Sequence, residues 1–251
     1  MTSRPLVVAA HGWLLSRKVW QPLEQQWPLS DVIAAETEPS WRLWCPDLPG
    51  FGTRPRPSTL HPSLAAYGRW LADQALAQAM GSPLVLMGHS LGASVALYAA
   101  HHLQAIAPQQ CQGVICIAAG GGIYQPRPFQ RVRQGGRWAV RLRPPLPLPL
   151  GPFQAEERAA LGLLVNSTCR GAIRQIPQVV ADLAMASLWI SGSRDQVMEP
   201  KYVHHLAGYS RKHTVVSLDG CGHLPMQTHA AELAKELHTW LHNKARSQTD
   251  Q

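Results

Sequence analysis

The feature that most constrains this chain is Gly88-His-Ser-Leu-Gly92, which joins an apolar run to an alanine-rich one. Residues 84–87 predict a buried strand and residues 91–101 predict a helix, with only three residues between them. So tight a turn forces Ser90 into a strained backbone conformation. It also requires glycine at positions 88 and 92, where a side chain would collide with the crossing strand and helix. The Ser90 hydroxyl is thereby lifted to the start of a helix, where free N–H groups and the helix dipole favour negative charge.

The composition is that of a globular protein of one large α/β domain or two small ones, since 45% of the 251 residues are hydrophobic. No run of about eighteen apolar residues occurs, so no membrane-spanning helix is expected. The amino terminus lacks the apolar segment of a signal peptide. Five cysteines without Cys-x-x-Cys spacing indicate reduced thiols and no metal site. We therefore predict a cytoplasmic protein without a metal or other cofactor.

Predicted strands and helices alternate along most of the chain. The strands are expected at residues 5–10, 41–45, 84–87, 114–118, 187–191 and 214–218, and the helices at 20–27, 62–80, 91–101, 201–207 and 226–244. Residues 31–40 are polar and predict a loop or a short helix. From residue 123 to about 186 the alternation stops, and three short helices are expected instead. Such alternation is typical of a mostly parallel sheet with helices on both faces.

Several reactive side chains follow directly after predicted strands. They are His11, Gly12 and Trp13 after the first strand, Ser90 in the tight turn, Asp195, and His223. Functional sites on parallel sheets gather at the carboxyl ends of strands. We therefore expect these residues to meet at one edge of the sheet.

A serine hydroxyl needs a base to attack at neutral pH, and the base needs a third group to fix its tautomer. His223 is the best base, because it follows a strand in a glycine-rich loop; the histidines on predicted helices are expected at the surface. Asp195 is the best orienting carboxylate. Asp219 and Asp47 are better explained as turn residues that bond nearby N–H groups.

The order Ser90, Asp195, His223 resembles that of the α/β-hydrolase superfamily, which includes serine esterases and lipases. The motifs His11-Gly-Trp, Asp47-Leu-Pro-Gly-Phe-Gly and Gly220-Cys-Gly-His are similar to that superfamily too. The resemblance implies an oxyanion hole made by the N–H groups of Trp13 and Leu91, with His11, Gly12 and His89 in contact with substrate. The Trp13 side chain has a second interpretation as a pocket wall. Only about ten residues precede His11, so we predict a shortened sheet of about six strands.

By the same resemblance, residues 1–121 and 187–251 form the hydrolase core and residues 122–186 form a helical cap. Residues 122–175 carry nine arginines and only two acids, Glu156 and Glu157, whereas the whole chain has a net charge of +8. Three interpretations compete: a solvated cationic surface, a peripheral contact with an anionic membrane, and recognition of an anionic substrate group. The Leu-Pro repeat at residues 144–150 predicts a stiff hinge or strap. Nucleic-acid binding is not expected, because no lysines accompany the arginines.

The leading hypothesis is a serine hydrolase that cleaves a lipophilic carboxylic ester through an acyl-enzyme. One alternative is a lyase or synthase of the menaquinone-pathway kind, in which the same three residues remove a proton. That family has arginine after the turn's paired glycines, where this chain has Ala93-Ser94. The other alternative is a non-catalytic binding protein that keeps the fold.

Overall fold

The computed structural model of the chain describes residues 4–31, 40–143 and 155–249. Six strands form one sheet in which every neighbouring pair is parallel. The strands are β1 (Leu6–Ala10), β2 (Arg42–Trp44), β3 (Leu84–His89), β4 (Cys111–Ile117), β5 (Ala186–Gly192) and β6 (His213–Leu218). Their order across the sheet is β2-β1-β3-β4-β5-β6. The six-stranded parallel sheet predicted from the sequence is confirmed.

Helices cover both faces of this sheet. They are α1 (Gln21–Asp31), α2 (Leu64–Ala79), α3 (Leu91–Ile106), α4 (Pro126–Leu142), α5 (Glu157–Ser167), α6 (Ala172–Asp182), α7 (Pro200–Ala207), α8 (Pro225–Thr228) and α9 (Ala230–Thr249), with a short 3₁₀ helix at Arg17–Trp20. None of the helices within these described stretches is long and apolar enough to cross a membrane.

Both faces of the sheet are buried, which explains why its inner strands are continuously apolar. Along β3, Leu84 and Leu86 belong to the apolar layer on one face, and Val85 and Met87 belong to the layer on the other. All four side chains are fully buried. The two layers fix the register of the strand, because a slip of one residue would exchange the faces.

The ends of several elements differ from the sequence-based expectations, most of all at two helices. The predicted final helix is divided at His229 (φ −134°, ψ 40°), which ends α8 before α9 begins. Helix α3 continues to Ile106, five residues beyond the predicted end. The polar segment predicted between residues 31 and 40 and the Leu-Pro repeat of residues 144–150 fall almost wholly outside the described residues.

Helices α4, α5 and α6 form the insertion, by which we mean residues 122–186. The start of α5 is joined to the segment after β2: Glu156 Oε1 accepts from Arg56 N at 2.8 Å, and Glu156 N donates to Gly50 O at 2.7 Å. Further along, Asn166 Oδ1 accepts from Leu64 N at 2.8 Å. These contacts tie α5 to the sheet-bearing part of the molecule, at the edge where the strands end.

Candidate active site

The turn between β3 and α3 holds Ser90 in the strained conformation expected from the sequence, with φ 53° and ψ −116°. A non-glycine residue in this region costs about 1–3 kcal/mol and needs surrounding structure to maintain it. That structure is the end of β4, because Ser90 N donates to Ile117 O at 2.9 Å and Gly120 N donates to Ser90 O at 3.0 Å. The serine is half-buried, and its main chain is fixed from both sides.

The glycines on either side of Ser90 are required for the expected reason, a collision with the crossing helix and strand. A side chain at Gly88 would collide with the main chain of Gly92 at the start of α3. A side chain at Gly92 would collide with the carbonyl oxygens of Ala10 and His11, at the end of the neighbouring strand β1. The first turn of α3 therefore packs directly on the end of β1. Sequence reasoning within the turn could not have found that contact.

The imidazole of His223 is hydrogen-bonded to the carboxylate of Asp195. Nδ1 lies 2.8 Å from Asp195 Oδ2, while Oδ1 accepts from the main-chain N–H groups of Val197 and Met198 at 2.8 and 2.9 Å. The Asp195 side chain is fully buried, and the His223 side chain is 20% exposed. An ionised carboxylate accepts these bonds, so the proton of neutral His223 sits on Nδ1 and Nε2 has a free lone pair. The arrangement can accept a proton at Nε2.

Asp219 contacts a different group, although it is closer to His223 in sequence. Its Oδ1 accepts from the Ser193 hydroxyl at 3.1 Å, and Ser193 Oγ accepts in turn from Gly220 N at 2.8 Å. This local bonding agrees with the interpretation of Asp219 as a turn residue. It joins the loop after β5 to the loop after β6, which carries His223.

Asp47 is also structural, as predicted. Its carboxylate accepts from the main-chain N–H groups of Arg17 and Thr53 at 2.7 and 3.0 Å. Burial opposes ionisation, but these hydrogen bonds prevail and lower the pKa of Asp47. The carboxylate thereby connects the turn after β2 to the 3₁₀ helix.

His11 and His89 do not fit the expectation that their side chains contact substrate, because they are 0% and 1% exposed. Leu48 N donates to His11 Nε2 at 3.0 Å, so the proton is on Nδ1, which donates to Gly12 O at 2.9 Å. Burial lowers the pKa of His11 to about 4. His89 Nε2 lies 2.7 Å from His223 O. Both rings are bonded within the protein.

The two predicted oxyanion-hole residues lie on segments that touch. Leu91 is the first residue of α3, so its N–H has no acceptor within the helix. The next residue, Gly92, packs on Ala10 and His11 at the end of β1. His11 is two positions before Trp13 in the chain. The indole Nε1 of Trp13 donates to Ala160 O in α5 at 2.9 Å. The side chain of Trp13 thus joins the insertion to the core.

No group of histidine, cysteine, aspartate or glutamate side chains suited to a metal ion occurs among residues 4–31, 40–143 and 155–249. Sequence reasoning missed the contacts of His89 and the Arg56–Glu156 pair, because neither follows a local pattern.

Comparison with known proteins identifies the family. The sequence model of the alpha/beta hydrolase family matches residues 7–236. The chain belongs to the alpha/beta hydrolase family. It is 30% identical to the pimeloyl-[acyl-carrier protein] methyl ester esterase of Xanthomonas axonopodis pv. citri, with 93% of each chain covered. It is 26% identical to the protein of the same name from Xylella fastidiosa, again with 93% of each covered.

Solved structures agree on the fold of this alpha/beta hydrolase. An esterase from Thermogutta terrifontis matches with a TM-score of 0.72 at 18% identity, covering 97% of this chain and 91% of that one. A bromoperoxidase from Bacillus anthracis matches with a TM-score of 0.73 at 16% identity, covering 96% and 92%. These structures show the fold, while the curated relatives, which are named as esterases, confirm the enzyme class expected from the sequence, a carboxylic ester hydrolase.

Proposed function

We propose that this alpha/beta hydrolase cleaves its ester through an acyl-enzyme formed on Ser90, with His223 as general base and acid and Asp195 as the orienting carboxylate. The observation that carries the proposal is the 2.8 Å bond between His223 Nδ1 and Asp195, at the same sheet edge as the strained serine. Two further bonds to Asp195 hold the carboxylate in place. His223 is therefore oriented with Nε2 free for a proton.

In the first half-reaction, Ser90 Oγ attacks the ester carbonyl carbon and its proton passes to His223 Nε2. The C=O electron pair moves to the oxygen, which the N–H groups of Leu91 and Trp13 stabilise, each by roughly 3 kcal/mol. When the oxyanion collapses, the C–O bond to the alcohol breaks and His223 protonates the departing alcohol. In the second half-reaction, water attacks the carbonyl carbon of the acyl-enzyme and gives its proton to His223. The bond to Ser90 then breaks, which releases the acid and restores the serine hydroxyl.

Replacement of the nucleophile tests this mechanism. Ser90→Ala should abolish both hydrolysis of p-nitrophenyl esters and covalent labelling by a fluorophosphonate, because the substitution removes the proposed nucleophile. Ser94→Ala is the matched control, since Ser94 lies one turn along α3 and its hydroxyl donates to Gly120 O at 3.1 Å. Labelling that persists in Ser90→Ala, or a folded wild-type protein that is never labelled, would contradict the proposal.

For the substrate, we propose an acyl ester carried by an acidic carrier protein. The name of the relatives supports this class, and so does the exposed side of α4. That side is strongly cationic, with two apolar side chains among the charges, Trp138 and Leu142, which are 63% and 64% exposed. Its exposed arginines are Arg127, Arg131, Arg137 and Arg141. We assign the insertion as the cap predicted from the sequence, with this surface as the side that receives the carrier.

If the substrate is bound to a carrier protein, charge reversal on α4 should slow hydrolysis of the carrier-bound ester more than that of the free ester. Arg137→Glu with Arg141→Glu should lower kcat/KM for a carrier-bound methyl ester by about tenfold or more, because opposite charge becomes like charge on the docking surface. The rate on a free short-chain methyl ester should change little. The wild-type preference for the carrier-bound form should also weaken as salt is added.

A matched control reverses the charge of two cations outside the insertion. Arg211→Glu with Lys235→Glu alters two exposed cations outside the insertion and should leave kcat/KM for the carrier-bound ester near that of the wild type. Equal losses in both double variants would indicate a general effect of net charge. Binding of the wild type to anionic vesicles, without any preference for carrier-bound ester, would favour the membrane interpretation of α4 instead.

A further inference from the structure

The side chain of His89 connects the strand that leads to Ser90 with the loop that carries His223. Its Nε2 lies 2.7 Å from the main-chain carbonyl oxygen of His223. Because a carbonyl oxygen only accepts, the proton of His89 is on Nε2 and is donated to that oxygen. The two imidazole rings also pack on each other, with centroids 4.8 Å apart and planes inclined at 57°.

The opposite edge of the His89 ring faces the loop after β1. Its Nδ1 is buried and finds no hydrogen-bond partner among the described residues. A Cβ at Gly12 would lie only 2.6 Å from this nitrogen, so the ring packs against the bare Cα of the glycine. One side chain therefore touches both the loop that leads to Trp13 and the loop of His223.

His89 is suited to a fixed contact and unsuited to proton transfer. Burial, followed by the neighbouring His223, holds the pKa of His89 well below its usual range, and buried His11 acts in the same direction. The ring therefore stays neutral and remains a donor while the other groups of the site change their charge.

Two other hydrogen bonds of the His223 loop come from the residues that follow β5. Arg194 N donates to Cys221 O at 2.8 Å, and Gly220 N donates to Ser193 Oγ at 2.8 Å. With the bond between His223 and Asp195, these contacts tie the loop to the end of β5. His89 is on β3, so it holds the loop from the side of Ser90.

We propose that His89 is a positioning residue that sets the distance between the His223 imidazole and the Ser90 hydroxyl by holding the main chain of residue 223. The inference rests on the proposed function, in which those two groups exchange a proton. It replaces the expectation that His89 contacts substrate. A displacement of about 1 Å between reacting groups can cost on the order of 100-fold in rate, so one such contact is enough to matter.

Two substitutions at this position separate a donor role from simple packing. His89→Leu keeps an apolar volume but removes the donor, and should lower kcat on p-nitrophenyl butyrate by about 10- to 100-fold with KM nearly unchanged. His89→Gln places an amide N–H within reach of the same carbonyl and should restore most of kcat. The shape of the pH profile of kcat/KM should be the same in all three proteins, because His89 does not titrate there.

The inference is overturned if His89→Leu retains the wild-type kcat, or if Leu and Gln reduce kcat equally. It is also overturned if ¹⁵N-histidine NMR of the wild type finds the His89 proton on Nδ1, a result that does not depend on any variant folding. Ser90→Ala keeps the two proposals apart. An inactive Ser90→Ala beside a fully active His89→Leu rejects only the role of His89, whereas an active Ser90→Ala rejects the acyl-enzyme itself.

Discussion

At the scale of single residues, two aspartates near the same loop have different hydrogen-bond partners. They are Asp195 and Asp219, and each accepts hydrogen bonds there. Asp195 is buried and bonded to His223, whereas Asp219 is exposed and bonded to the Ser193 hydroxyl. Asp219 is the nearer of the two to His223 in sequence, but Asp195 is the one hydrogen-bonded to its imidazole.

Exchange of each carboxylate for an amide tests this distinction. Asp195→Asn should lower kcat by roughly 10³- to 10⁴-fold, because the amide can present N–H to His223 and stabilise the wrong tautomer. Asp219→Asn keeps an oxygen that can accept from Ser193, so its kcat should remain near that of the wild type. Steady-state kinetics on one p-nitrophenyl ester measures both. Similar losses in the two variants would show that the assignment of Asp195 is wrong.

At the scale of elements, the insertion is held by close packing between its own helices and Trp13. Helix α4 runs through Gly135 and Gly136 without a break, although adjacent glycines disfavour a helix. Close packing requires glycine at position 136, because a Cβ there would lie 2.8 Å from Leu164 and 2.9 Å from the Trp13 ring. Gly135 has nothing within 4 Å of such an atom.

The two neighbouring glycines form a matched pair for experiment. Gly135→Ala should stabilise the protein by up to about 1 kcal/mol, because alanine favours the helix and meets no obstacle. Gly136→Ala gains the same propensity but pushes α4 away from α5 and Trp13, a packing cost of about 1–3 kcal/mol. Thermal unfolding should therefore give Gly136→Ala the lower Tm of the two. The reverse order would mean that α4 is not closely packed on its neighbours.

At the scale of the whole molecule, buried neutral histidines make the stability of the fold depend on pH. Burial lowers the pKa of His11 to about 4 and lowers that of His89 well below its usual range. Between about pH 6.5 and 4, the unfolded chain binds protons on these residues that the folded protein does not. Lowering the pH through this window therefore lowers the free energy of unfolding. Above about pH 6.5 these histidines are neutral in both states and the folded protein keeps its full stability.

Urea unfolding at several pH values measures this effect. The free energy of unfolding should fall by about 1.4 kcal/mol per pH unit for each such histidine, or about 3 kcal/mol in total for His11. His11→Gln should remove part of this slope, whereas the exposed His101→Gln should not. NMR titration of the wild type gives an independent reading: the signals of His11 and His89 should remain those of the neutral ring at pH 5.5. A slope unchanged in His11→Gln would contradict the attribution.

Local sequence patterns were sufficient for the order of strands and helices, the parallel sheet and the strained turn at Ser90. Each depends on residues near one another in the chain, where periodicity and steric limits act directly. The exact ends of helices were less predictable, since the break at His229 has no proline or glycine to mark it.

The sequence by itself determined that a serine, an aspartate and a histidine follow three different strands of a parallel sheet, because strand ends can be inferred from apolar runs and turns. Only the tertiary structure decided which groups touch: His89 with the carbonyl of His223, Gly92 with the end of β1, and Glu156 with Arg56. Those contacts join residues from about 80 to more than 130 positions apart. They arise from the packing of whole elements on one another, which no short stretch of sequence specifies.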